Sequence, residues 1–330
     1  MKYDFITIGG AAEDITFVTT EGVLVDNKKD ILRQELLGFE YGAKVEIDDK
    51  DVFFNFGGGA ANAAVCLAKL GLKTANISTV GDDVRGVKII KNFKKNKVDA
   101  KFVQKVKGAG TSFGFVLMND NQKGRDRVIF FNRGAEKKMV LGKKEVKALR
   151  KTKWAYMAAL SGAWMNNLEE IFSVPDLQIA WNPGNSQLTA GVNKIGKFLK
   201  KTRVLIVNKD EAISLVLTDK KYKDKPSAWL NNLKNLQTAI KAYGPQIVVI
   251  TDGRNGAGVY DGAKFYTHKI IPEKKLVDTT GVGDAFGSTF VAGLEMYHGD
   301  IKQAMELGMK NAANVVSEVG AQNGLMTINN

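Results

Sequence analysis

The sequence predicts an α/β protein, a three-layer α/β/α sandwich around a mainly parallel central sheet, on three observations. Short apolar runs of strand length alternate with stretches of helical period along the chain, the pattern that packs helices on both faces of a parallel sheet. Two glycine-rich segments, residues 57–59 and 281–283, each stand where a β-like run gives way to a helical one. The 330 residues are 44% apolar, enough for a large core, and no repeat, low-complexity tract or linker divides them, so residues 1–330 are read as one domain.

Composition narrows the function. One cysteine, Cys66, excludes an internal disulfide and a cysteine zinc cluster, and two histidines make a histidine-rich metal site unexpected. No segment approaches the roughly 18 consecutive apolar residues of a membrane span, and the N-terminus has no charged region followed by an apolar run. The chain is therefore expected to be cytoplasmic, with no membrane partner. Its net charge of +13 comes mainly from scattered lysines at helical spacing, as in residues 91–97 and 143–147. That pattern reads as a solvated face, so no nucleic-acid partner is expected, although the field would help draw in an anionic nucleotide.

In order, residues 2–8 read as a buried strand broken by Gly9-Gly10, with Asp14 in the loop just beyond. Residues 15–19 and 43–47 alternate like half-exposed strands around a polar middle containing residues 30–34, and residues 111–118 and 127–131 read as a hairpin about the turn 119–124. Between them, residues 57–71 place three glycines before a helix of small residues closed by Gly71. Residues 74–80 read as a strand, 81–86 as the opening of a helix, and 102–103, 154–160 and 179–181 as further strands, the last followed by Asn182-Pro183-Gly184. Residues 204–207 form an apolar run ending at Asn208, with Glu211 three positions on, the spacing of a capping box. Residues 246–250 end in a glycine-rich turn, Thr251-Asp252-Gly253-Arg254-Asn255-Gly256. Residues 275–277 read as the end of a strand, and Asp278-Thr279-Thr280-Gly281-Val282-Gly283-Asp284-Ala285-Phe286 leads into an apolar helix. Such a turn offers unpaired N–H groups and a favourable helix dipole to an anion, and puts the Asp284 carboxylate beside it.

This last segment and residues 57–71 resemble the two signatures of the ribokinase-like, or PfkB, carbohydrate kinases, with Val282 standing where that family usually has Ala. The resemblance extends from about residue 6 to 322. It implies a ribokinase-like sandwich with a small β lid, formed mainly by about residues 15–56 with the hairpin at about 111–131. It also implies transfer of the ATP γ-phosphoryl group to a primary hydroxyl, with Asp284 as base and Gly281, Val282 and Gly283 stabilising charge. Asp14, Gly58, Gly59 and Asn62 would hold the sugar, and Asn208, Thr251, Gly253, Gly256 and Asn314 the ATP. Glu211 would hold Mg2+ mainly through water, and Asp278 would partner a monovalent cation such as K+, near residues 320–322. Ribokinases commonly carry Asn where Ala12 stands, Lys where Gly59 stands, and an acid near residues 158–162, so ribose is not named as acceptor. A nucleoside kinase, with Phe17, Phe54 or Phe113 stacking on a base, and a non-catalytic sugar sensor are the alternatives. Arg133 and Asn182 are left unassigned as substrate contacts, and the oligomeric state is left open, with an exposed lid-sheet edge available to pair with a second copy as a homodimer.

Overall fold

The computed structural model describes residues 2–27, 35–119, 127–273 and 275–327. In chain order, β1 (Tyr3–Ile8) leads into β2 (Ala12–Thr19), the hairpin β3 (Val23–Asp26) and β4 (Glu35–Gly38), then β5 (Val52–Gly57) and α1 (Gly59–Lys69). There follow β6 (Thr74–Ile77), β7 (Thr79–Gly81), α2 (Val84–Lys95), β8 (Gln104–Val106), β9 (Phe113–Asn119), β10 (Arg127–Asn132) and α3 (Lys143–Leu149). The alternation continues with β11 (Thr152–Met157), α4 (Trp164–Phe172), β12 (Gln178–Trp181), α5 (Asn185–Ala190), α6 (Val192–Leu199), β13 (Val204–Asn208), α7 (Lys209–Leu217), α8 (Ser227–Leu230), α9 (Leu233–Lys241) and β14 (Ile247–Thr251). Then come β15 (Ala257–Tyr260), β16 (Phe265–His268), α10 (Val282–Met296) and α11 (Ile301–Val316).

The central sheet runs β16-β15-β14-β13-β12-β11-β1-β6, parallel from β6 to β14 and antiparallel across β14, β15 and β16. Its strands are apolar on both faces, as a doubly covered sheet requires. Phe5, Tyr156, Ile206 and Val249 enter a core beneath α1, α2, α10 and α11. Their neighbours Ile6, Met157, Leu205 and Val248 enter a second core beneath α3 to α7 and α9. The three layers expected from the alternation are thus present. Among the described residues no helix is long and apolar enough to cross a membrane.

A second sheet, β10-β9-β2-β5, pairs β2 parallel to β9 and antiparallel to β5. Its register sets Asp14 beside Gly114 and Asn55, with Phe131 beyond Gly114. On the opposite face Phe130, Phe115, Ile15 and Phe54 form one cross-strand row, and Phe130 and Phe54 are 62% and 65% exposed.

Four sequence expectations need correction. Asp14 lies within β2 rather than in a loop, because the chain turns in the three residues after β1 and re-enters a strand at Ala12. Residues 43–47 form no strand; their side chains are largely exposed and no strand pairs with them, so alternation alone did not suffice. The strand expected at 102–103 begins at Gln104, where it pairs with β7. Residues 275–277 are not a strand end: the N–H groups of Val277 and Asp278 donate to the Val316 carbonyl at the end of α11 (2.9 and 3.2 Å), outside any ladder. The polar middle at 30–34 and the turn residues 120–124 lie outside the described residues.

Candidate active site

Helix α10 starts where it does because Gly281 turns the chain in the left-handed region (φ 74°). A Cβ there would fall 2.2 Å from the Ala321 Cβ, so the turn requires glycine on both counts. The first-turn N–H groups that follow have no helical acceptor. A Cβ built on Gly283 meets nothing within 4 Å, so this side of the turn faces open space.

Asp284 is the third residue of α10, and its Oδ2 accepts a hydrogen bond from Asn62 Nδ2 at 2.8 Å. Its Oδ1 lies 3.1 Å from where a Gly59 Cβ would stand, so the glycine after the α1 N-cap lets the two helix starts meet. That N-cap is Gly58, left-handed at φ 91° and packed against the Gly10 carbonyl. Burial pushes the Asp284 carboxyl above the usual carboxylate range, and the Asn62 bond pulls it part of the way back.

Asp14 approaches the same place from the second sheet. Its carboxylate lies over Gly57 and Gly114, where a Cβ would fall 1.9 and 2.5 Å from its oxygens. Burial, then the charge of Asp278, push this carboxyl up to about 6; Arg127 pulls it down and Asp284 adds to the rise. Asp14, Gly58, Gly59, Asn62 and Asp284 are therefore gathered around the junction of α1, α10 and the second sheet.

On the other side of α10 opens a cleft of about 660 Å³. Asn208, Thr251, Gly253 and Gly256 line it, facing Val282, Gly283 and Phe286 of α10 and Ala312 and Ala313 of α11. Its α10 lining includes Gly283, one residue before Asp284. Asn208 and Glu211 form a reciprocal cap, Asn208 Oδ1 accepting from the Glu211 N–H and Glu211 Oε2 from the Asn208 N–H, both at 2.8 Å. Burial raises the Glu211 carboxyl, and the charges of Asp284 and Asp210 add to the rise. Asp278 is buried and accepts from the N–H groups of Thr280 (2.8 Å) and Gly320 (2.9 Å), tying the anion turn to the segment after α11. Among the described residues no three His, Cys, Asp or Glu side chains gather as a metal-ligand cluster.

Three named residues lie apart from this arrangement. Asn314 is exposed and does not line the cleft, which α11 meets with Met309, Ala312, Ala313 and Val316. Arg133 bonds Glu136 and Ser161 (both 3.2 Å), and Asn182 Nδ2 donates to the Ile206 carbonyl at 2.9 Å, so both brace the scaffold.

Sequence reasoning passed over Arg127, which lines the cleft from β10 and hydrogen-bonds Thr279 beside the anion turn. The charged run Arg125-Asp126-Arg127 just before the apolar Val128-Ile129-Phe130-Phe131 was the signal available. The same reasoning placed Gln322 only in the segment expected near a monovalent cation, and missed that its Nε2 donates to Asn62 Oδ1 at 3.0 Å. The hairpin β3–β4 contributes Leu24, Glu35 and Leu37 to the cleft wall, which periodicity alone does not reveal.

Residues 30–328 match the model of the pfkB family carbohydrate kinases. The chain belongs to that family. Membership makes it a kinase, an enzyme of the ATP-dependent phosphotransferase class. It is 25% identical over 315 residues to an ATP-dependent 6-phosphofructokinase of Thermoanaerobacterium thermosaccharolyticum, covering 91% of each chain. It is 26% identical over 293 residues to a 5-dehydro-2-deoxygluconokinase of Clostridium perfringens, covering 82% of this chain and 81% of the relative. An Arabidopsis thaliana ribokinase, whose structure holds ribose and ATP, superposes with a TM-score of 0.76 at 18% identity, covering 99% of this chain and 96% of that one. The likeness establishes the ribokinase-like sandwich as the fold of this kinase.

Proposed function

We propose that this kinase moves the γ-phosphoryl group of ATP to a primary hydroxyl of a small sugar or sugar derivative, with Asp284 as base. The observation that carries this is the position of the residue 281–284 turn. Its Gly283 side opens on the cleft lined by Thr251, Gly253 and Gly256, and its Asp284 side meets Asn62, Gly59 and the region of Asp14. An acceptor held by Asp14 and the Gly58–Gly59 turn would present its hydroxyl to Asp284, whose Oδ1 is not the oxygen engaged by Asn62. The carboxylate takes the proton, and the N–H groups of Gly281, Val282 and Gly283 stabilise charge on the phosphoryl group in flight. Thr251, Gly253 and Gly256 would face the donor's phosphates.

Magnesium fits the donor side, where the negative charges of Asp284 and Asp210 raise the Glu211 carboxyl. Glu211 and Asn208 would hold it mainly through water, and it would supply positive charge to the phosphates. A monovalent cation such as K+ fits beside Asp278, a buried carboxylate met by two backbone N–H groups. The second sheet would act as the lid that excludes water, in the cytoplasm where ATP is available. Its exposed Phe54–Phe130 face, rather than its edge, would pair with a second copy.

Arg127, whose charge reaches Asp14 from the cleft wall beside Thr279, together with relatives named for phosphorylated and acidic sugars, favours an acceptor carrying an acid group. The nucleoside reading loses the rings suggested for it. Phe17, Phe54 and Phe113 lie on the face of the second sheet opposite Asp14, where Phe17 and Phe113 pack on Phe115 and Arg85 and Lys88 cover Phe113 and Phe54. A sensor without catalysis would not need Asp284 beside an open anion turn.

The test is turnover of Asp284→Asn against fructose 6-phosphate, 2-keto-3-deoxygluconate, ribose, fructose, adenosine and cytidine. A loss of about 100-fold or more in kcat on the preferred acceptor is expected. Activity within about tenfold of the parent would remove Asp284 from the role of base.

A further inference from the structure

The Asp284 carboxylate ends a chain of side-chain amides that all donate in one direction. Asn96 Nδ2 donates to Asn92 Oδ1 at 3.0 Å, and Asn92 Nδ2 to Gln322 Oε1 at 2.9 Å. Gln322 Nε2 then donates to Asn62 Oδ1 at 3.0 Å, and Asn62 Nδ2 to Asp284 Oδ2 at 2.8 Å. The members come from α2 and its C-cap Asn96, the segment after α11, α1 and α10. Asn62 and Gln322 are buried, so water does not substitute freely for their partners.

The carboxylate dictates this polarity. An ionised aspartate only accepts hydrogen bonds, so Asn62 must turn its NH2 group toward Asp284 and its carbonyl away. That carbonyl then requires a donor, and Gln322 is the donor. Were the Asn62 amide to flip, its oxygen would face a carboxylate oxygen and the bond that favours the ionised base would become a repulsion. Asn92 holds Gln322 in turn, and Lys69 Nζ anchors the Gln322 backbone carbonyl at 3.1 Å.

We infer that Gln322 is a positioning residue for phosphoryl transfer: by donating to Asn62 it fixes the Asn62 amide, which holds Asp284 by Oδ2 and leaves Oδ1 to the acceptor hydroxyl. This rests on Asp284 as the base. It also makes Asn62 an orienting group for that base, beyond the sugar contact the family resemblance implies. The direction of the Asp284 shift agrees, with the Asn62 bond opposing the effect of burial.

Three substitutions separate polarity from packing. Gln322→Glu keeps the shape but offers an acceptor to Asn62. Gln322→Met keeps the length but offers neither donor nor acceptor. Gln322→Lys fits the site worst but keeps a donor. The readouts are the Asp284 carboxyl titration by 13C NMR in the full-length, ligand-free protein, and kcat against pH on the preferred acceptor of the panel above.

The expected order of activity is parent, Lys, Met, Glu. Gln322→Glu should raise the Asp284 titration by about one pH unit or more and lower kcat about tenfold or more, with the KM for ATP little changed. A packing role would reverse the order, leaving Glu and Met near the parent and Lys worst, and would overturn the inference. So would an Asp284 titration that moves by less than about 0.3 unit in both the Glu and Met variants while their unfolding transitions match the parent. If one variant does not fold, the other and the Lys variant still decide the order. Assayed alongside, Asp284→Asn keeps the two readings distinct: an inactive Asp284→Asn with a normal Gln322→Glu defeats only the positioning inference, whereas an active Asp284→Asn defeats the base itself.

Discussion

Asp14 should weaken the empty enzyme. The fold raises its carboxyl from 3.8 to about 6, chiefly by burial and next by the charge of Asp278, so ionising it in place is unfavourable. Two units correspond to about 3 kcal/mol. The sign follows from proton counting. Between pH 3.8 and about 6 the folded chain holds more proton at this site than the unfolded chain, so this contribution to stability is present at low pH and lost as pH rises through that window. Asp14→Asn keeps the shape and removes the charge. Its margin over the parent should be about 3 kcal/mol at pH 8, or roughly 4 °C in Tm for a chain of this length, shrinking to about 1 kcal/mol at pH 4.5. Paired thermal melts at the two pH values measure it. The same substitution should raise the acceptor KM and flatten its pH dependence, whereas the parent's KM should climb as pH falls below about 6. An equal margin at both pH values, or none at pH 8, would refute the reasoning, because the carboxylate would then be as comfortable in the fold as in water.

Gly281→Ala should cost about 2 kcal/mol or more in chemical unfolding, since it strains a left-handed residue and drives a methyl into Ala321. Gly283→Ala, whose methyl meets no protein atom, should leave stability within about 0.5 kcal/mol while lowering kcat/KM, because the methyl projects where the phosphates would lie. Phe54→Asp combined with Phe130→Asp should turn a dimer into monomers in sedimentation velocity; an unchanged sedimentation coefficient would remove that face as the interface.

The parts of the fold legible in the sequence are those where local chemistry decides. Buried parallel strands such as Val204–Asn208 announce themselves as apolar runs, and Gly281 as a residue demanded by backbone conformation. The failures share one cause. Residues 43–47 and 275–277 carry strand-like composition, but a strand exists only where another lies beside it, and that is decided elsewhere in the chain. The same limit applies to the site. Asp284 and Asn62 could be found because each lies in the first turn of a helix that follows a recognisable glycine-rich segment, whereas Arg127 and Gln322 matter through partners 152 and 260 residues away in sequence.

That distance explains why the segment after α11 belongs with the site although it lines little of it. Within three residues, Gly320 donates to Asp278, Ala321 closes against Gly281, and Gln322 turns the Asn62 amide. Each contact acts on a different part of the same turn: the carboxylate before it, the glycine that begins the helix, and the aspartate in its first turn. A displacement of this segment would therefore loosen the anion turn and misorient Asp284 together. The site depends on this segment docking correctly, which ties its assembly to completion of the helical layer that includes α1, α10 and α11.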